Sequence, residues 1–314
     1  MSTLLISHPA CMQHETGISH PERPERLTAI AQALATERFT ALDRQEAPRA
    51  ALALIERLHP RSYIEGILDA VPKNGSRHLD SDTVLSPASG EAALRAVGAV
   101  VAAVDAVAHG KAHNAFCPVR PPGHHAEPTT AMGFCIFNNV AIGAHHARAV
   151  HGFRRVAVVD FDVHHGNGTQ AAFWNDAEMF YASTHQWPCY PGTGAGHETG
   201  CAHNIVNVPL PPGSGSEAFR HGVTERIVPA LRAFKPEFLF ISAGFDAHAR
   251  DPLAGLELGK DDFAWVTRAL THLAAECCDG RVVSVLEGGY DLSALAESVA
   301  VHVEGLMAAR KGTS

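Results

Sequence analysis

Apolar positions along the chain fall into two alternating kinds of run. Short blocks rich in Val, Ile, Leu and Phe occur at 4–7, 114–117, 156–159, 179–182, 204–208, 238–244 and within RVVSVLEGGYDL. These blocks are apolar without polar alternation, which predicts strands buried on both faces, as in a parallel sheet. Between them, helices are expected from near Pro24, over 51–70 with an interruption at Pro60, and over 89–108, 139–150, 217–234, 262–277 and 292–310. A proline is tolerated in a first helical turn, and the near-uniform apolarity of 89–108 marks a helix covered on most sides. Arg26, near the start of the first helix, reads as either solvated or functional, and His145 and His146 read as surface residues of the fourth helix. No repeat, low-complexity tract or linker interrupts the alternation. It predicts an α/β fold, one doubly wound and mostly parallel sheet with helices on both faces.

The bulk properties narrow the function class. The chain has 314 residues, 46% hydrophobic and 18% charged, which fits one large α/β domain with a sizeable core. Acidic residues outnumber basic ones 33 to 25, giving a net charge of −8, and no Lys/Arg run offers a nucleic-acid footprint. No leader-like segment and no apolar run of membrane-spanning length is evident, so a cytoplasmic protein that contacts neither nucleic acid nor membrane is expected. Seven scattered cysteines without a CxxC pair argue against a disulfide framework and a thiolate zinc site. The 21 histidines make metal or acid–base chemistry worth seeking.

That chemistry gathers at strand ends. VAVVDFDVHHGNGTQ (156–170) runs from a buried strand into Asp160, Asp162 and His164, which share one face if the chain stays extended. Buried carboxylates and an imidazole need partners or a metal. His124 and His125 follow the strand at 114–117, Asp246 follows that at 238–244, and Tyr290 follows the last one. Ligand sites in such sheets lie outside the carboxyl ends of the strands. Asp162, His164 and Asp246 form an open three-ligand set of the kind catalytic zinc uses, although oxygen and nitrogen donors also suit Fe2+, Co2+ or Mn2+. His124 and His125 suit general acid–base work on a bound water, with Asp160 and Asn167 as their hydrogen-bonding partners. Tyr290, after two glycines, could reach a developing oxyanion.

With these residues assembled, the chain resembles the histone deacetylase superfamily, of the arginase–deacetylase fold. RPPGHHA (120–126), GFCIFNN (133–139), DFDVHHGNGTQ (160–170), SAGFDAHARDPL (242–253) and LEGGYDL (286–292) carry the likeness, and HPERPERL (20–27) extends it towards the N-terminus. The resemblance implies an open sheet of about eight strands and a single zinc-dependent deacetylase or amidohydrolase domain over 1–314. It implies Asp162, His164 and Asp246 as zinc ligands, with Fe2+ or Co2+ able to replace zinc. His124 and His125 would be the tandem catalytic histidines and Tyr290 the oxyanion-stabilising tyrosine. A structural K+ is implied near Asp160, Asp162, His164, Ser183 and Thr184. Gly133 would accept the substrate amide N–H, Phe134 and Tyr190 would wall an acyl-lysine tunnel, and Asp82 would contact the substrate. Asn167 and the LEGGY motif resemble class II members.

The expected substrate is an acetylated lysine in a peptide or protein, or a small acyl-amine, and self-association is compatible with the sequence. Leu253 stands where the similar polyamine-specialised branch carries an acidic gatekeeper, which favours a neutral acyl-lysine. A two-manganese ureohydrolase would need an Asp at position 166, where this chain has glycine. A non-catalytic acyl-lysine-binding protein is the alternative from another class.

Overall fold

The computed structural model describes residues 2–309. Eight strands form one sheet: β1 (Thr3–Ser7), β2 (Asp43–Glu46), β3 (Asn114–Cys117), β4 (Val156–Asp160), β5 (Met179–Gln186), β6 (Ile205–Leu210), β7 (Phe238–Ala243) and β8 (Val282–Leu286). Their spatial order is β2-β1-β3-β8-β7-β4-β5-β6, and every neighbouring pair is parallel. Val156, Ala157, Val158 and Val159 of β4 are all buried, as the unbroken apolar run required. Each large aliphatic side chain taken out of water in this way contributes about 1.5–3 kcal/mol.

Ser89–Ala108 and Asn139–His151 pack together on the sheet, while Glu25–Ala33, Lys260–Cys277 and Leu292–Ala308 form a second helical group. Pro60 separates Leu52–Ile55 from Arg61–Ala70, because a proline cannot donate the backbone bond that would continue the first helix. The expected 217–234 helix contains a π-helical stretch, Val223–Ile227, between two α-helical parts. Among the described residues, no helix is long and apolar enough to cross a membrane.

The surface reading of His145 and His146 is corrected, and of the two readings of Arg26 the solvated one is excluded. Arg26 is fully buried and His146 is buried, with His145 half-buried. Arg26 is held by Glu22, and His146 by Asp105 and Arg57. The Glu287 and Gly289 carbonyls for Arg26, and Asp105 and Arg57 for His146, come from far along the chain and offset the cost of burying these groups.

Candidate active site

Four adjacent central strands, β3, β8, β7 and β4, direct their carboxyl ends at one point. β4 stops at Asp160, so Asp162 and His164 lie beyond the strand, not on an extended face as the alternation implied. Carboxylates take over from the ladder there. The Asp162 N–H donates to Asp160 Oδ1 (3.0 Å), the His164 N–H to Asp162 Oδ1 (2.9 Å) and the Val163 N–H to Asp246 Oδ1 (2.9 Å). The Gly288 N–H, entering from the end of β8, donates to Asp162 Oδ2 (2.7 Å). Short polar side chains bonding nearby backbone stabilise such non-repetitive turns, and here the same bonds aim the ligands.

Asp162, His164 and Asp246 are brought together, buried, with ligand atoms within 4.8 Å of one another. His164 Nδ1 lies 3.2 Å from Asp162 Oδ1 and 3.1 Å from Asp246 Oδ2. A Cβ on Gly244 would fall 2.1 Å from Asp162 Oδ2, and one on Gly288 2.1 Å from Asp246 Oδ2, so only glycine admits these carboxylates. Burial and the neighbouring Asp162 push the Asp246 carboxyl up to about 7. A divalent cation between the two would remove that repulsion, and two carboxylates with one imidazole match the donors of a catalytic zinc site. The residues fit the ion.

The tandem histidines face this cluster with different partners. His124 Nδ1 donates to Asp160 Oδ2 (3.0 Å), and the Asp160 oxygen also accepts from the Tyr181 hydroxyl (3.2 Å). His125 Nδ1 donates to Asn167 Oδ1 (2.8 Å), whose amide nitrogen is turned away towards Glu127 (2.9 Å). Burial opposes the His124 cation, but Asp162 and Asp160 outweigh it and push its pKa up to about 10. Burial and the neighbouring His124 and His164 hold His125 well below its usual value. The two imidazoles are thus pushed in opposite directions.

Tyr290 is buried beside the cluster, and burial keeps its hydroxyl protonated far above ordinary pH. Its backbone N–H donates to Asp251 Oδ2 (2.7 Å), and the Arg26 guanidinium carbon lies 4.9 Å from its ring centroid. Arg26 donates to the carbonyls of Gly289 (2.7 Å) and Glu287 (2.5 Å), so it pins the turn from behind. Glu22 joins Arg26 to Arg120, and those two cations hold the Glu22 carboxyl down at about 2 against the penalty of burial.

The remaining candidates line the approach or stand behind Asp160. A Cβ on Gly133 (φ 55°) would lie 2.5 Å from the His125 ring and 3.0 Å from the Tyr190 hydroxyl. Phe134 packs edge-on to Tyr290 (5.9 Å between centroids), and Tyr190 edge-on to His125 (5.1 Å). Asp82 flanks this wall: its carbonyl accepts from His20, whose ring packs on Phe134. Leu253 is partly exposed, and its N–H donates to Asp251 Oδ1, which ties it to the carboxylate supporting Tyr290. Ser183 and Thr184 lie buried in β5, with Ser183 in register with Asp160. His165 turns away, bonded to Thr193 and Gln170.

Four supporting residues escaped the sequence reading. Glu287 Oε2 accepts from the backbone N–H of Gly123 (2.7 Å) and His124 (3.1 Å), fixing the histidine loop. Asp251 supports Tyr290, while Glu22 and Arg120 form the buried ion pair behind it. A glutamate directly after a buried apolar strand was a usable signal, since such a charge needs partners. Nothing local marked the other three.

A family model described as a histone deacetylase domain matches residues 20–306. The chain is 43% identical to "Histone deacetylase 10, chloroplastic" of Oryza sativa over 264 residues, which cover 80% of this chain and 60% of the relative. It is 43% identical to the "Histone deacetylase-like amidohydrolase" of Pseudomonas aeruginosa over 239 residues, 74% of this chain and 62% of that one. The chain thus spans under two thirds of the length of both. A "Probable deacetylase" of Archaeoglobus fulgidus is 41% identical over 247 residues, 78% of this chain and 68% of the other. The crystal structure of the HDA15 HD domain superposes with a TM-score of 0.91 at 33% identity, covering 98% of this chain and 91% of that one.

Proposed function

The chain belongs to the histone deacetylase family, and we propose that it is a zinc-dependent amidohydrolase that removes acetyl groups from lysine side chains of a peptide or protein. The observation that carries this is the pairing of a buried Asp162–His164–Asp246 cluster with two adjacent imidazoles, one bonded to Asp160 and the other to Asn167, and a buried tyrosine. A zinc ion held by those three ligands supplies a Lewis acid and makes a water far more acidic than in bulk.

The chain's own residues supply the rest. His125, with Nδ1–H committed to Asn167, offers Nε2 as a proton acceptor for the attacking water. His124, kept charged by Asp160, offers a proton to the departing amine. The Tyr290 hydroxyl donates to the oxygen on which charge develops. Phe134 and Tyr190 sandwich the acyl-lysine stem, the Gly133 carbonyl accepts the amide N–H, and Asp82 orients the substrate at the rim. A potassium ion beside Asp160, Asp162, His164, Ser183 and Thr184 belongs to the same proposal. Leu253, a neutral side chain near the rim, favours acetyl-lysine over an acetylpolyamine.

A two-metal ureohydrolase is disfavoured at Gly166. A Cβ there would lie 2.4 Å from Asp160 Oδ2, so no carboxylate ligand fits that position. The deciding experiment measures turnover of matched acetyl-lysine peptides and acetylpolyamines by the zinc-loaded protein and by Tyr290→Phe. Acetyl-lysine is expected to be the better substrate, and the variant to lose about 10²–10³ in kcat. Unchanged turnover in the variant removes the oxyanion role, and no hydrolysis of either class by the loaded protein would favour a binding protein.

A further inference from the structure

A second histidine–carboxylate cluster lies away from the catalytic strand ends. Asp105 belongs to Ser89–Ala108, while His146 and His151 belong to Asn139–His151. Both imidazoles converge on one oxygen: His146 Nε2 and His151 Nε2 each lie 2.7 Å from Asp105 Oδ1. The three ligand atoms lie within 4.8 Å of one another, as they do in the catalytic cluster. The two helices lead into the amino ends of β3 and β4, so their carboxyl ends lie at the edge of the sheet opposite the catalytic centre. The negative ends of two helix dipoles meet there, which favours a cation.

The surroundings suit a bound ion. The imidazoles are nearly buried, with side-chain exposures of 5% and 9%, whereas the Asp105 side chain is 46% exposed and leaves an entrance for an ion and its waters. We propose that Asp105, His146 and His151 form a second metal site, specific for a zinc-class divalent ion, that ties the two helices together.

Arg57 guards this site. Its guanidinium donates to His146 Nδ1 at 2.6 Å, which places the ring proton on Nε2, the atom an ion would occupy. Loading requires the proton to move to Nδ1 and Arg57 to withdraw. Arg57 also lines an open pocket of about 500 Å³ into which its guanidinium can withdraw. The site is therefore weaker than the catalytic one and fills after it.

The test titrates protein already carrying one equivalent of zinc with further Zn2+, reading stoichiometry by calorimetry and melting temperature by circular dichroism. A second equivalent that raises the melting temperature is expected, and it should be lost in His151→Ala. Arg57→Gln, whose amide oxygen can accept the Nδ1 proton, should tighten this second event by roughly tenfold or more. Tighter binding together with a native circular dichroism spectrum and a melting temperature that zinc raises separates this outcome from zinc capture by misfolded cysteines. Absence of a second equivalent in the wild type, or its persistence in His151→Ala, overturns the site. Equal affinity in Arg57→Gln overturns the guard.

Discussion

His124 and His125 are chain neighbours with ring centroids 4.0 Å apart, yet they bond to partners of different charge. Each donates its Nδ1 proton to a side chain beside the same loop, Asp160 at the end of β4 and Asn167 at the start of the helix Asn167–Phe173. Asp160 is a carboxylate and stabilises an imidazolium, whereas Asn167 is a neutral amide that fixes the tautomer without adding charge. Two identical residues in one low-dielectric pocket cannot both be charged cheaply, and the partners decide which one is. The charge difference between positions 160 and 167 thus adds to the effects of Asp162 on His124 and of burial on His125.

The largest expected effect that can break this contrast is His125→Ala, which should reduce kcat/KM by about 10³–10⁴. His124→Ala should cost about tenfold less, because water can still protonate a leaving amine. Equal losses in steady-state assays would show that the two rings share one role. Next comes Asp160→Asn, expected to lower kcat by about 10². Asp160 raises the His124 pKa, so its loss should lower that pKa and move the alkaline limb of the pH–rate profile downwards. An unmoved alkaline limb would detach His124 from proton donation. The smallest effect is expected for Asn167→Asp. A carboxylate there would raise the His125 pKa, shift the acidic limb upwards and reduce turnover at neutral pH by less than about tenfold. A downward shift of that limb would contradict the base assignment.

A second contrast separates the two ligand clusters. Backbone N–H groups from two loops orient the Asp162 and Asp246 carboxylates, and glycines at 244 and 288 make room for them. The Asp105 cluster has no comparable cradle, and an arginine competes for one of its ligands. Preorganised oxygen and nitrogen donors bind tightly, whereas donors engaged elsewhere must first be released.

Much of the fold was legible because the buried strands carry unbroken apolar runs and the helices carry apolar faces. β2 was not: Asp43, Arg44, Gln45 and Glu46 are all exposed, and this edge strand exists only because β1 offers it a ladder. The grouping of Asp162, His164 and Asp246 was also legible, though an extended strand was not what joined it. Side-chain bonds to the backbone beyond β4 place Asp162 and His164, and they depend on Asp246 and Gly288, residues remote in sequence.

What the sequence determined by itself was therefore the alternation of strand and helix and the chemistry waiting at the strand ends, since both rest on local periodicity and residue type. Tertiary structure decided which charges would be buried and which histidine would hold a proton. Arg26 is a surface-like residue until Glu22 and the Glu287 and Gly289 carbonyls surround it, and His146 is one until Asp105 and Arg57 do. Burial and the nearby His124 and His164 push the His125 pKa down, while Asp162 and Asp160 push that of its neighbour up. Desolvation and pairing energies depend on which groups end up within a few ångströms of one another, and no pattern along the chain encodes that distance.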